Sequence, residues 1–175
     1  MGKIKVLETE RLILRELKED DAKTVFNNWT NDDEVSKYVR WSTHKNVKET
    51  EEYIKFEIER CKGKDYYNWG IILKENKELI GAIGAFPSED GKTEIGYNIS
   101  KKYWRNGYTT EALKRVLEHL NKDIGIHNFI CSHAVQNPAS GSVMKKAGFK
   151  YVKDGSCEKF DGSQVFDTKI YYLDI

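Results

Sequence analysis

The arginine and glycine of Trp104-Arg105-Asn106-Gly107 stand directly before an amphipathic run that begins at Tyr108. Free N–H groups at a helix start and the positive end of the helix dipole bind anions, and phosphates are the common guest. The same residues also suit a loop that merely turns. Other groups able to move protons are thinly spread: Glu94 in an apolar stretch, Ser140 within Asn137-Pro138-Ala139-Ser140-Gly141, and the imidazoles His127 and His133. A lone histidine on a strand is more often a satisfied structural residue than a catalyst. The cysteines, Cys61, Cys131 and Cys157, are odd in number and lack C-x-x-C spacing, which argues against a disulfide framework and against a zinc site.

These residues need elements to hold them. Glu94-Ile95-Gly96-Tyr97-Asn98-Ile99 is short, apolar and partly β-branched, so it reads as a strand. Tyr108, Ala112, Leu113, Val116, Leu117 and Leu120 form one helical stripe, with Glu111–Arg115 and Glu118–Lys122 as i,i+4 pairs on the other face. Asn137 is a good N-cap, Pro138 suits the first helical position and Gly148 the left-handed C-terminal cap, so a short helix lies between them. Earlier, Arg11–Arg15 alternates like a strand. Acidic residues at 19–21 precede a helix carrying Ala22, Val25, Phe26 and Trp29, and Asn46 with Glu49 caps a second helix to about Cys61. Apolar runs at 69–73 and 79–86, separated from each other and from the Glu94 strand by short turns, imply an antiparallel meander. The strand at 129–135 follows a helical crossover and should lie parallel to the Glu94 strand. Tyr151 and Val152 start a further strand, 153–163 reads as a polar loop, and 165–173 as a closing strand.

Composition narrows the function. A chain of 175 residues suits one domain, here 1–175, with a core that needs no staples. Net charge is +1, and no basic face is concentrated anywhere, so neither nucleic acid nor an anionic membrane is indicated as a partner. There is no signal-peptide pattern and no apolar run near the ~18 residues of a membrane span, so a cytoplasmic location is expected.

The strand E-I-G-Y, a loop, and then W-x-x-G-Y-x-T-E-A over Trp104–Ala112 resemble the acetyl-CoA-binding core of the GNAT acyltransferases, in particular the RimJ/RimL-type N-acetyltransferases. Asn137-x-x-Ser140 followed by Lys146-x-Gly148-Phe149 is similar to that family's second signature. The opening phrase E-T-E-R-L-I-L-R-E-L and the closing hairpin around Phe160-Asp161-Gly162 extend the resemblance over essentially the whole chain. It implies an α+β GNAT fold: a mixed, mostly antiparallel sheet with helices on both faces and a splayed parallel strand pair that admits the cofactor. It implies acetyl-CoA as cosubstrate and no metal, with Asn98, Ile99, Trp104, Arg105, Asn106, Gly107, Tyr108, Thr109, Thr110, Asn137 and Ser140 at the cofactor. Two positions depart from the family. Thr109 puts a β-branched side chain where the backbone meets phosphate, and its hydroxyl could donate there. Met144 stands where many members carry a proton-donating tyrosine, which leaves Ser140 as the nearest donor and Tyr97 as the next.

Acyl transfer from a thioester to an amine needs a neutral amine, donors for the tetrahedral oxyanion, and a proton for the leaving thiolate. Strand-end backbone near Asn98–Ile99 is the expected oxyanion donor. Glu94 is the first choice of base, directly or through water, although a salt-bridged strand carboxylate would look the same, and positioning alone carries much of the rate in such reactions. Trp29, Tyr38, Trp41 and Tyr97, with Asp32, Asp33 and Glu34, are the candidate amine-pocket residues. The resemblance implies a protein or peptide N-terminal amine as acceptor. A polyamine, an aminoglycoside, or an acetyl-CoA-binding module without turnover are the alternatives, and either a monomer or a homodimer fits.

Overall fold

The computed structural model describes residues 4–175; the first three residues of the expected 1–175 domain lie outside that range. Strands β1 (Leu7–Glu8) and β2 (Leu12–Arg15) open the chain. A 3₁₀ turn at Glu19–Asp21 leads into α1 (Ala22–Val25), which widens into a π turn over Phe26–Thr30. Helices α2 (Asp33–Ser36) and α3 (Val47–Cys61) follow, then β3 (Tyr67–Leu73), β4 (Leu79–Pro87) and β5 (Thr93–Ile99). Next come α4 (Tyr108–His119), β6 (Asn128–Ala134), α5 (Pro138–Lys146), β7 (Lys150–Glu158) and β8 (Val165–Asp174).

The strands form one eight-stranded sheet in the order β1-β2-β3-β4-β5-β6-β8-β7. Every neighbouring pair is antiparallel except β5 and β6, so the α4 crossover does set the expected parallel pair. Their register covers only Thr93 opposite Phe129 and Glu94 opposite Ile130, although each strand runs seven residues. Beyond Glu94 the two strands part.

Burial explains how the helices dock. Ala112, Leu113, Val116, Leu117 and Leu120 of the α4 stripe are all buried, against Leu14, Ile71, Ile83, Ile95 and Phe129 on one face of the sheet. A second core on the other face joins Ala22, Val25, Trp29, Val35 and Ile54 to Leu79 and Ala82. Local sequence sets the helix ends. Asn46 accepts the Glu49 N–H at 3.1 Å to start α3, and Gly148 (φ +98°) ends α5 with Gly148 N–H to Lys145 O at 3.0 Å and Phe149 N–H to Met144 O at 3.1 Å.

Three expectations change. The polar stretch from 153 is strand rather than loop as far as Glu158. It is an exposed edge that pairs with β8 through its backbone, with a bulge between Tyr151 and Lys153, and so needs no apolar alternation. Asp32 accepts the Glu34 N–H at 2.8 Å and so starts α2, one turn too short to show a periodicity. On α4, Glu118–Lys122 pairs at 2.9 Å, but Glu111 turns away from Arg115 to bond Arg11 at 2.7 Å.

Gly141 on α5 lies against His133 on β6: a Cβ there would stand 2.5 Å from His133 Nε2. That ring is 9 % exposed and held by Nδ1 on the Ala134 carbonyl at 2.7 Å, so it has little freedom to move. Gly141→Ala is expected to cost about 1–3 kcal/mol, the range for overpacked cores, or roughly 2–12 °C in Tm for a chain of this size. Thermal denaturation of the variant checks this, and an unchanged Tm would show that the ring yields freely.

Candidate active site

The gap between β5 and β6 is built by alternation. Ile95 O accepts from Cys131 Sγ at 3.2 Å across the mouth of the gap, and Ile99 O accepts from Trp104 Nε1 at 2.9 Å. With a period of two, the main-chain groups of Ile95, Tyr97 and Ile99 therefore face the gap, while those of Glu94, Gly96 and Asn98 pair with β4. Of the two residues expected to supply oxyanion donors, Ile99 directs its N–H into the gap and Asn98 does not.

Trp104 through Gly107 fold into a tight loop at the start of α4. Arg105 (φ +64°) and Gly107 (φ +78°) both take the left-handed conformation. Asn106 Nδ2 braces the loop on the carbonyls of Tyr103 (3.1 Å) and Trp104 (3.0 Å). Arg11 staples it to the sheet: Nη1 donates to Asn106 O at 2.9 Å, Nε to Glu111 at 2.7 Å, and the guanidinium lies 4.5 Å from the Tyr108 ring centroid. Burial works against the Glu111 charge, but hydrogen bonds from Thr9 and Arg11 prevail and hold its carboxyl below the usual range. Arg105 is exposed and has no partner among the described residues; Thr109 and Thr110 are half-buried in the first turn of α4. Beside them opens a cleft of about 400 Å³ lined by Glu10, Gly107, Thr110, Glu111, Lys114 and Lys146. The Arg11–Glu111 staple joins residues 100 positions apart, and nothing local signals it.

Tyr97 and Ser140 meet on the α4–α5 side of the sheet. The Tyr97 hydroxyl donates to Ser140 O at 3.0 Å and lies 3.1 Å from Ser140 Oγ, where either hydroxyl can donate. Burial drives the Tyr97 phenol well above its ordinary pKa, so it stays protonated. Asn137 occupies the N-cap position of α5, although its side chain makes no capping bond. Met144 is 1 % exposed, a core residue with no proton to give. His133 is engaged by Ala134 O and Tyr171, and His127 by Ile175 O at 2.8 Å, as expected of structural histidines.

The opposite face of β5 carries Glu94, Gly96 and Asn98, beneath the segment between α2 and α3. Burial raises the Glu94 carboxyl above its usual range, with the Arg40 charge opposing and Asp90 reinforcing that rise. Of the expected amine-pocket residues, Tyr38 and Trp41 lie half-buried on this segment, and Trp41 meets His44 at 5.9 Å, which in turn meets Tyr53 at 5.8 Å. Two residues need correcting. Trp29 is 1 % exposed in the second core, because its helical stripe turns it inward, and it can act only through side chains it supports. Tyr97 points to the Ser140 side, away from Glu94. The acidic side chains are engaged elsewhere: Asp32 as a cap, Asp33 with Thr43 at 2.7 Å, Glu34 with Lys101 at 2.7 Å.

What holds the segment in place is Lys159, 8 % exposed at the β7–β8 turn. Its ammonium donates to the carbonyls of Ser36 (2.6 Å), Val39 (3.0 Å) and Trp41 (3.0 Å), and Phe160 N–H donates to Arg40 O at 2.8 Å. In sequence Lys159 reads only as part of the polar loop 153–163.

A family model described as an acetyltransferase (GNAT) domain matches residues 11–150. The chain belongs to the GNAT acetyltransferase family. It is 31 % identical over 172 residues, 96 % of both chains, to the uncharacterized N-acetyltransferase YoaA of Bacillus subtilis (strain 168). Among solved structures, the fold is similar to RimL, a ribosomal L7/L12 alpha-N-protein acetyltransferase in complex with coenzyme A, with TM-score 0.83 and 16 % identity over 98 % of each chain. It is also similar to the microcin C7 self-immunity acetyltransferase MccE in complex with acetyl-CoA and AMP, with TM-score 0.81 and 17 % identity over 95 % of this chain and 94 % of that one. No helix among the described residues is long and apolar enough to cross a membrane, and they hold no cluster of metal-binding side chains.

Proposed function

We propose that this GNAT domain transfers the acetyl group of acetyl-CoA to a primary amine, with the N-terminal amine of a protein or peptide as the first-choice acceptor. The observation that carries the reading is the β5–β6 pair, which parts after two residues beside a left-handed, arginine-bearing loop at a helix start. RimL, an alpha-N-protein acetyltransferase, and MccE, bound to acetyl-CoA, share this fold and support the choice of reaction and cosubstrate.

In this reading the first N–H groups of α4 and Arg105, which has no partner among the described residues, bind the pyrophosphate, and the cleft that carries Lys114 and Lys146 beside Glu10 and Glu111 takes the nucleotide end. The pantetheine arm enters the gap along β5. The amine nitrogen attacks the thioester carbon from the Glu94 side and passes its proton to that carboxylate, directly or through water. The oxyanion gathers on the Ile99 N–H. Collapse breaks the C–S bond; Ser140 passes its hydroxyl proton to the thiolate and takes a replacement from solvent in the same step, with the Tyr97 hydroxyl, 3.1 Å away, holding Ser140 from behind.

The test is release of free thiol from acetyl-CoA across peptides with free N-termini, polyamines and aminoglycosides. Turnover confined to peptides supports the first choice, turnover with polyamines or aminoglycosides moves the acceptor class, and silence across the panel defeats the transferase reading. A donor used as charge develops affects turnover more than binding. Ser140→Ala should therefore lower kcat by roughly 10²-fold, in the range for acid–base groups, with KM for acetyl-CoA nearly unchanged. A near-wild-type kcat with a lowered Tm would leave Ser140 only a packing role.

A further inference from the structure

Three strands present side chains of one face in register on the Glu94 side of the sheet. Asn68, Gly84 and Gly96 lie in one row across β3, β4 and β5; Phe86 and Glu94 form the row on one side, and Ala82 and Asn98 the row on the other. The middle row is floored by two glycines that oppose each other. A Cβ built on Gly96 would meet only the edge of Phe86, at 3.5 and 3.6 Å, an ordinary contact distance, so a small group fits above it. Phe86 stacks on Tyr66 with centroids 6.2 Å apart and walls one end of this floor.

At the other end stands a polar atom without a partner. Asn98 Oδ1 is buried and accepts no hydrogen bond, alone in this among the described side chains. Buried acceptors are nearly always bonded, and one left open asks for a donor. Ala82, the neighbour of Asn98 across β4, carries only a methyl group and cannot supply it. Along β5, Gly96 lies between Glu94 and Asn98, with a Cα spacing of about 6.7 Å on either side. A hydrogen-bond acceptor is thus placed at each end of a floor the width of one residue, and Glu94 can also take a proton.

We propose that this floor is the acceptor-amine slot: the amine nitrogen lies over Gly96, donates one N–H to Asn98 Oδ1 and turns its remaining N–H toward Glu94. This rests on the transferase reading and adds what that reading lacked, a group that orients the nucleophile. Asn98 serves through its side chain, on the face of the sheet that carries Glu94, rather than as a cofactor contact. The slot selects an unhindered primary amine, since a branched nitrogen would meet Phe86 or the strand itself.

Two variants test the slot, each with a readout that a purely structural role would not move. Asn98→Leu keeps the branching at Cγ and removes an acceptor that has no bond to lose, so Tm should hold or rise. KM for the amine should rise at least ten-fold, while KM for acetyl-CoA stays put. Gly96→Ala places a methyl group in the slot at ordinary contact distance from Phe86, so the fold should persist and KM for the amine should again rise at least ten-fold. The variants are compared on whichever amine the wild-type protein turns over. Wild-type amine KM in both overturns the slot and leaves the transferase standing. A loss of Tm in Asn98→Leu with unchanged amine KM also overturns it, because the side chain is then a structural acceptor. A wild-type protein inactive on every amine overturns both readings together.

Discussion

Glu94→Gln is expected to slow acetyl transfer by roughly 10²–10⁴-fold, the contribution of a positioned general base, and to remove the acid limb of the pH–rate profile. The base must be ionised to work. Burial lifts its pKa first of all, with Arg40 restraining the rise, so the wild-type limb should lie above the ordinary carboxylate range. Arg40→Met removes the restraining charge and should move that limb to still higher pH. The same shift acts on stability. A carboxyl whose folded-state pKa is raised contributes stability below its unfolded pKa and loses it as pH rises through the folded one. At neutral pH the ionised Glu94 therefore destabilises the fold, and Glu94→Gln should melt no lower than wild type while being nearly inactive. A variant that keeps its acid limb would show the base lies elsewhere, with positioning carrying the rate.

Gly107→Val should abolish measurable CoA binding by calorimetry while leaving the protein folded. Its φ of +78° is the left-handed region, which a β-branched side chain avoids, and its Cβ would stand 3.4 Å from the Arg11 guanidinium that staples the loop. The backbone strain is about 1–2 kcal/mol, so most of the loss should fall on the anion site rather than on the sheet. Gly107→Asn, which tolerates the same conformation, should recover a large part of the affinity. Equal binding by wild type and Gly107→Val would remove the phosphate-loop assignment.

Much of this frame was legible from local pattern. The α4 stripe, the Asn46 and Gly148 helix ends and the three-strand meander each depend on residues within a few positions of one another. So does the parallel β6, because a helical crossover admits little else. The misses share a physical cause. Glu111 was paired with Arg115 by helical spacing, whereas Arg11, far away in sequence, offers a shorter bond with two donors. Trp29 looked like an aromatic available to an amine, but the stripe that made its helix recognisable also buried it. The extent of β7 was hidden because an edge strand needs backbone partners and no apolar face. Neither the two glycines in register nor the orphan Asn98 Oδ1 can be read without knowing which strands lie side by side.

The clamp made by Lys159 has a bearing on how the protein is made. Its ammonium joins residues 118 to 123 positions apart, closing the segment over β5 with the final hairpin. A chain emerging from its N-terminus will have produced the sheet centre, the loop before α4 and α4 itself well before residue 159 appears. Until then the carbonyls of Ser36, Val39 and Trp41 have no cation to gather them, and the wall above Glu94 stays unassembled. The loop before α4 should therefore take shape before the wall above Glu94, which waits on the β7–β8 turn to be gathered.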